Sequence, residues 1–193
     1  MAEKKVVVPS ALDNLSARMD AAQKKNNAFL ENQEISRLAQ AGRIPEALAM
    51  SRDAGLIGEG ADKARSDALK GVIADGIRFR FADKGKNAWH WVDEATNILL
   101  AFDIPSEEVA AYKEAAKRMI LNFLSMPSRG ILPIKRISKA FGIPAEDLDD
   151  LVNAFAKEHP EKMSAADVQE VISDLKATYG PVVGAESVGS LRE

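Results

Sequence analysis

Residues 10–29 read SALDNLSARMDAAQKKNNAF, and the spacing of their apolar side chains decides the fold class. Apolar residues recur in alternating steps of three and four, which is the period of one face of an α-helix. The members of this stripe are Leu12, Leu15, Met19, Ala22, Asn26 and Phe29. Ser10 stands just before the stripe and is a residue type that caps helix N-termini. We therefore predict a long first helix with a narrow apolar seam, in which Asn26 is the polar member.

This seam has two interpretations. The favoured one is a long amphipathic helix that packs on its own domain. The alternative is a coiled-coil arm between two copies of the chain, in which Asn26 sets the register of the paired helices. Three heptads are the lower limit for a coiled coil.

Helical spacing continues to the middle of the chain. Ile35 and Leu38 extend the first helix until Gly42, and Pro45 opens a short second helix. Further helices are predicted at about 64–81 and 88–101, with a turn at 83–87 between them, and a fifth helix begins after Ser106. Residues 77–81, IRFRF, also alternate like a strand, but the i, i+4 spacing of their apolar members favours helix.

Residues 35–54 resemble half of a tetratricopeptide helical hairpin. Gly42 occupies the place of the turn glycine in that repeat, and Ala47 and Ala54 occupy the places of two small packing residues. The resemblance implies two helices joined by a tight turn. Because the chain has no second copy of the motif, we interpret the segment as an ordinary helical hairpin.

The segment 126–133, MPSRGILP, breaks helix and is the predicted domain boundary. We predict an all-α protein with a bundle of about five helices at 11–126 and a small three-helix unit at 127–180. Residues 1–10 are predicted to be a flexible N-terminus. Residues 181–193, which are rich in Gly and Ser, are predicted to be a disordered tail.

Residues 137–152, ISKAFGIPAEDLDDLV, resemble the helix-turn-helix of DNA-binding proteins, with Ser138 at the helix crossing and Gly142 in the turn. The resemblance implies that the second helix reads the DNA major groove. That helix contains no basic residue, and its carboxylates would oppose phosphate. We therefore predict an acidic docking helix or a solvated face, formed by Glu146, Asp147, Asp149 and Asp150.

The segment 77–91, IRFRFADKGKNAWHW, combines basic side chains with both tryptophans of the chain. This composition suits an acidic protein partner, because Trp and Arg dominate interface hot spots. It also suits single-stranded nucleic acid, which needs phosphate neutralisation and base stacking. A third interpretation is that the aromatic residues are core and the charges belong to a loop. The candidate partner-binding residues are Arg78, Arg80, Lys84, Lys86, Trp89 and His90.

A second basic stretch begins at Lys117 and Arg118 and has no acidic residue before Glu146. Its candidate surface residues are Arg129, Lys135, Arg136 and Lys139. If both basic stretches faced one side, they would form a groove for a polyanion.

Several function classes have no support in the sequence. The chain has no Cys, which excludes disulfides and thiolate chemistry. Its two histidines lack the partners of a nucleophilic triad, and the HxxDE pattern at His90, Asp93 and Glu94 occurs once. We therefore expect no metal and no cofactor, and we lean towards a non-catalytic protein. No apolar stretch reaches the ~20 residues of a membrane span, so we expect a cytoplasmic protein without membrane contact.

These observations favour a non-catalytic helical module that binds proteins through complementary charged surfaces, with self-association as one form of partnership. The alternative is a sequence-tolerant nucleic-acid-binding protein that uses the basic segments 78–91 and 117–139. The net charge of −3 confines any nucleic-acid contact to such local patches.

Overall fold

The computed structural model describes residues 11–126 and 131–178. Its elements in these ranges are eight α-helices and two 3₁₀ helices, with no strand, which confirms the all-α prediction. The predicted flexible N-terminus (1–10) and disordered tail (181–193) lie outside the described residues, as does Arg129. Within the same ranges, no helix combines the length and the apolar character that crossing a membrane requires.

The first half of the chain holds α1 (Ala11–Gln40), α2 (Ile44–Asp53) and α3 (Lys63–Lys84). A 3₁₀ helix (Gly85–Trp91) leads into α4 (Val92–Ala101), and a second 3₁₀ helix (Ser106–Tyr112) leads into α5 (Lys113–Leu124). The last elements are α6 (Ile131–Phe141), α7 (Ala145–Glu158) and α8 (Ala165–Thr178).

The segment 83–91 differs from its prediction. The sequence predicts a turn at 83–87 and a helix from about Ala88, whereas α3 continues to Lys84 and the 3₁₀ helix joins it to α4. Gly85 has a φ of +50°, and this left-handed conformation ends the α-helical geometry of α3. Residues 77–81 are helical, as the i, i+4 spacing predicted.

The chain divides into two compact units, Met1–Gly76 and Ile77–Glu193. The sequence predicted a division after residue 126, but α6 packs against α4 and α5 in the second unit. The apolar face of α6, which includes the fully buried Ile134, Ile137 and Phe141, is covered by these earlier helices. The predicted boundary at 126–133 includes residues 127–130, which lie outside the described residues.

In the first unit, the C-terminal half of α1 packs on α2. The turn between them is a Schellman motif, in which the Arg43 N–H donates to the Leu38 carbonyl and the Gly42 N–H donates to the Ala39 carbonyl. Gly42 has a φ of +78°, a conformation that suits glycine. The predicted hairpin is therefore present, with Ala47 fully buried inside it.

In the second unit, an aromatic cluster joins α3 to the later helices. The Phe81 ring stacks on Tyr112 at 4.3 Å between centroids and meets the edge of Phe141 at 6.0 Å. Gly142, with a φ of +58°, makes the turn from α6 to α7. Ser138 is buried at this crossing and donates its hydroxyl to the Ile134 carbonyl, so the predicted pair of short helices with a glycine turn is present.

Candidate interaction surfaces

Residues 14–30 of α1, which we call the α1 arm, are exposed along nearly their whole length. Its large apolar side chains are more than half exposed: 54% for Leu15, 65% for Met19, 55% for Phe29 and 56% for Leu30. Ala22 and Asn26 are exposed as well. The favoured expectation that this helix packs on its own domain is therefore wrong for the arm. Burial begins only at Asn32 and continues through Ile35, Leu38 and Ala39.

The exposed apolar side chains and the buried ones lie on different faces of α1. From here on, "the seam" means Leu15, Met19, Ala22, Asn26 and Phe29. With about 100° per residue around the helix axis and Leu15 at zero, the other four members lie within about 40° on either side of it. Ile35, Leu38 and Ala39 lie at about 200°, 140° and 240° on the same scale. The first unit therefore holds α1 by the face opposite the seam, which explains why the seam is left uncovered.

The polar side of the arm borders an open groove of about 750 Å³. Asp20, Lys24, Asn27, Ala54 and Arg65 line it, and no seam residue does. Glu31 and Arg65 close the inner end of the arm through an ion pair of 2.9 Å. These contacts separate a polar side that faces the first unit from an apolar side that faces solvent.

In the basic and aromatic segment of the second unit, the two arginines have internal partners. Arg78 forms a 2.8 Å ion pair with Glu108, and its carbonyl accepts a hydrogen bond from the Tyr112 hydroxyl. The Arg80 guanidinium lies over the ring of Trp91, 5.0 Å from its centroid. Trp91 itself is buried. These groups hold the unit together and are less available to a partner than the sequence suggested.

The rest of this segment is more open. Lys84, Lys86 and His90 are exposed, and the half-buried Trp89 lies against His90 with 3.4 Å between ring centroids. Phe79, on α3, is 75% exposed. The structure thus presents Lys84, Lys86 and His90 of the predicted contact residues at the surface.

The second basic stretch and the acidic helix meet inside the second unit. The Lys117 ammonium lies 3.2 Å from a carboxylate oxygen of Asp147, and the hydrogen bond that it donates to this carboxylate raises the pKa of the lysine. Asp149 is half-buried, whereas Glu146 and Asp150 are exposed. Of the four residues of the predicted acidic docking helix, Glu146 and Asp150 are the exposed ones.

Among the other predicted basic residues, Arg136 donates to the side-chain carbonyl of Asn97 over 2.6 Å. Lys135 is half-buried and Lys139 is exposed. Across the described ranges, no group of three or more His, Asp or Glu side chains is placed to hold a metal ion.

Two features of these surfaces were missed in the sequence. Leu30 follows Phe29 and widens the apolar strip at the inner end of the arm, and its position beside the heptad stripe is a signal that was present. The contact between Glu31 and Arg65 joins residues 34 positions apart, and no local pattern predicts it.

Comparison with protein-family models, with curated proteins and with solved structures finds no match to this chain. The surfaces described above therefore carry the functional proposal.

Proposed function

We propose that this chain is a non-catalytic helical subunit that binds protein partners, with the α1 arm as its main docking element. The observation that carries the proposal is the exposure of Leu15, Met19, Phe29 and Leu30 on one strip of a helix. Single exposed apolar residues are ordinary, but a contiguous strip bordered by polar residues marks a site of association. An amphipathic helix that offers its apolar face is a common mode of protein recognition.

The energetics agree with reversible docking. Full burial of one large apolar side chain contributes about 1.5–3 kcal/mol. Because the four side chains are each a little more than half exposed, covering them contributes roughly 3–7 kcal/mol per arm. Association opposes this gain through lost translational and rotational freedom. A single arm therefore supports weak to moderate affinity.

Charged surfaces of the second unit supply a further contact. Glu146 and Asp150 present carboxylates on α7, and Lys84 and Lys86 present ammonium groups after α3. Exposed charges of this kind steer encounter and select partners more than they add affinity. We assign them a role in partner choice, secondary to the arm.

Affinity capture from the native cell tests the proposal with charge-matched variants. Leu15→Glu with Phe29→Glu places two carboxylates in the seam. Asn14→Glu with Asn27→Glu adds the same two charges to exposed positions away from the seam. We expect the control pair to retain a stoichiometric bound protein and the seam pair to lose it. Equal capture by the two variant pairs would reject the arm as a docking element. So would a failure of the unmodified chain and of both variant pairs to capture any protein.

The alternative function, sequence-tolerant binding of single-stranded nucleic acid, has support from the exposed Lys84 and Lys86, which follow the exposed Phe79 and precede Trp89 in the sequence. An electrophoretic shift at two salt concentrations tests it, because phosphate contacts weaken steeply with salt. Lys84→Glu with Lys86→Glu should abolish the shift, and absence of a shift at low salt would eliminate this alternative.

A further inference from the structure

We infer that the partner of the α1 arm is a second copy of this chain, and that the two arms pair in parallel and in register as a two-stranded coiled coil. This inference rests on the proposed function, since it requires that the seam is a docking surface. It adds the identity of the partner, the direction of the paired helices and the residue that fixes their register.

The heptad positions of the seam suit such a pair. Met19 and Asn26 take the a positions, and Leu15, Ala22 and Phe29 take the d positions. In a coiled coil, each a or d side chain inserts between four residues of the facing helix. The small Ala22 lies between the two large d residues Leu15 and Phe29. In a pair in register, each large d side chain therefore packs against a large one of the second copy, and Ala22 packs against Ala22.

Asn26 distinguishes the parallel arrangement from the antiparallel one. It is exposed on the arm, in the middle of an otherwise apolar stripe. In a parallel pair in register, the Asn26 amides of the two copies face each other, and each offers both donor and acceptor groups. In an antiparallel pair that keeps the seams in contact, Asn26 faces Leu15 and loses its hydrogen-bonding partner. A single Asn at an a position is a device that fixes register and oligomeric state.

The residues that flank the seam also favour the parallel arrangement. Arg18 and Lys25 occupy the g positions, and the e positions hold the uncharged Ser16, Gln23 and Leu30. Parallel pairing sets each g residue against an e residue of the second copy, so the two basic side chains meet uncharged ones. Antiparallel pairing sets g against g and brings Arg18 close to Lys25 of the second copy, which is repulsive.

The first unit leaves room for the second copy. Burial of α1 in this unit begins at Asn32, and the buried Ile35, Leu38 and Ala39 lie on the face opposite the seam. Of the groove residues on the arm, Asp20, Lys24 and Asn27 lie away from the seam, whereas the exposed Gln23 and Lys25 flank it. A second helix can therefore approach the arm over residues 15–30 without displacing any buried side chain. Residues 15–30 span only a little over two heptads, so we expect a dimer that dissociates on dilution.

Sedimentation equilibrium of the full chain over a wide concentration range tests the stoichiometry. We expect a monomer–dimer equilibrium in which Leu15→Glu with Phe29→Glu weakens dimerisation at least about tenfold, because unpaired carboxylates are disfavoured in an apolar interface. Asn14→Glu with Asn27→Glu should change it much less. Circular dichroism of each variant should show the same helix content, since the substituted side chains are exposed.

Cysteine cross-linking tests the direction, because the chain has no cysteine of its own. Asn26→Cys should form a disulfide-linked dimer under mild oxidation, since the two positions face each other in the parallel pair. Asn27→Cys, on the polar side, should cross-link far more slowly. A mixture of Leu15→Cys and Asn26→Cys chains should give mainly the two homodimers.

Four results would overturn the inference. A mixed disulfide between Leu15→Cys and Asn26→Cys as the main product would show antiparallel pairing. A trimer or larger assembly would exclude the two-stranded form. If the chain is monomeric at all concentrations but still captures a cellular protein through the seam, the partner is a different protein and the proposed function stands. If the chain is monomeric and captures nothing, both the inference and the proposed function are rejected.

Discussion

Glu31 of α1 and Arg65 of α3 form an ion pair of 2.9 Å, and Arg65 also donates to the carbonyl of Ala54 beyond the end of α2. One guanidinium thus connects three segments of the first unit. Glu31 is also the residue at which α1 changes character, because the side chains before it are exposed and burial begins at Asn32. The pair marks the point where the helix leaves the core and becomes an arm.

This division of α1 predicts a sharp contrast in stability. Leu15→Ala with Met19→Ala should change the free energy of unfolding of the monomer by no more than about 0.5 kcal/mol, because both side chains are exposed. Ile35→Ala should cost about 2–5 kcal/mol, because Ile35 is fully buried. Urea denaturation at low protein concentration measures both. A cost above about 2 kcal/mol for the arm variant would show that the seam is packed within the chain.

A pair of glycine substitutions tests the turn between α6 and α7. A Cβ at Gly142, whose φ is +58°, would lie 2.6 Å from Oγ and 3.0 Å from Cβ of Ser106. Gly142→Ala should therefore destabilise the protein by about 1–3 kcal/mol. Gly71→Ala in α3 meets no atom within 4 Å and should stabilise it by about 0.5–1 kcal/mol. Thermal unfolding compares them, and shifts of the same sign would contradict the described turn.

The ion pair of Lys117 and Asp147 predicts a pH dependence at the alkaline end. The hydrogen bond that Lys117 donates to the Asp147 carboxylate raises the lysine pKa above its ordinary value of 10.5. A raised pKa in the folded state contributes stability that is fully present below pH 10.5 and is lost as the pH rises through the folded pKa. The contribution should stay below about 1 kcal/mol, because Asp147 is partly exposed and water screens the pair.

The measurement compares unfolding free energies at neutral pH and above pH 10.5 for the unmodified chain and for Lys117→Met. The variant should lose less stability over this range, since it lacks the titrating partner of Asp147. Lys139→Met removes an exposed lysine and serves as the control. Identical alkaline losses for Lys117→Met and the unmodified chain would show that the pair has no energetic role.

Replacement of Asn26 predicts a gain in affinity with a loss of specificity. Asn26→Val removes the polar member of the seam and should strengthen self-association about tenfold or more, because the coiled-coil stripe becomes continuous. It should also populate trimers or antiparallel pairs. Sedimentation velocity and the cysteine cross-links report these species. Weaker association of Asn26→Val would contradict this prediction, because it would mean that Asn26 stabilises the dimer more than an apolar residue does.

Much of the fold follows from local sequence signals. The period of the apolar residues predicts the α-helices approximately but neither of the two 3₁₀ helices, one of which occupies Ser106–Tyr112, where the fifth helix was expected to begin. Gly42 and Gly142 mark the turns that their positive φ values require. The seam on α1 is visible in the sequence for the same reason. The exposure of the seam is not visible in the sequence, because an apolar stripe of this width can pack either against the protein's own core or against a partner helix. Only the position of Ile35 and Leu38 on the opposite face distinguishes the two.

The charged surfaces were harder to predict, because their availability depends on partners far along the chain. Arg78 meets Glu108, which is 30 residues away, and Lys117 meets Asp147. A run of basic residues shows that charge is present, but it cannot show which groups are neutralised by tertiary contacts. The same limit applies to Arg80, whose guanidinium lies over the ring of the buried Trp91.

The most direct test of the seam as a docking surface is a polarity-sensitive fluorophore attached to Met19→Cys in the otherwise cysteine-free chain. Its emission should shift to the blue as the protein concentration rises through the micromolar range, while the same label on Asn27→Cys, on the polar side, stays unchanged. If the label at position 19 reports full exposure to water at every concentration, and also with cell extract added, the α1 arm has no partner and the account fails.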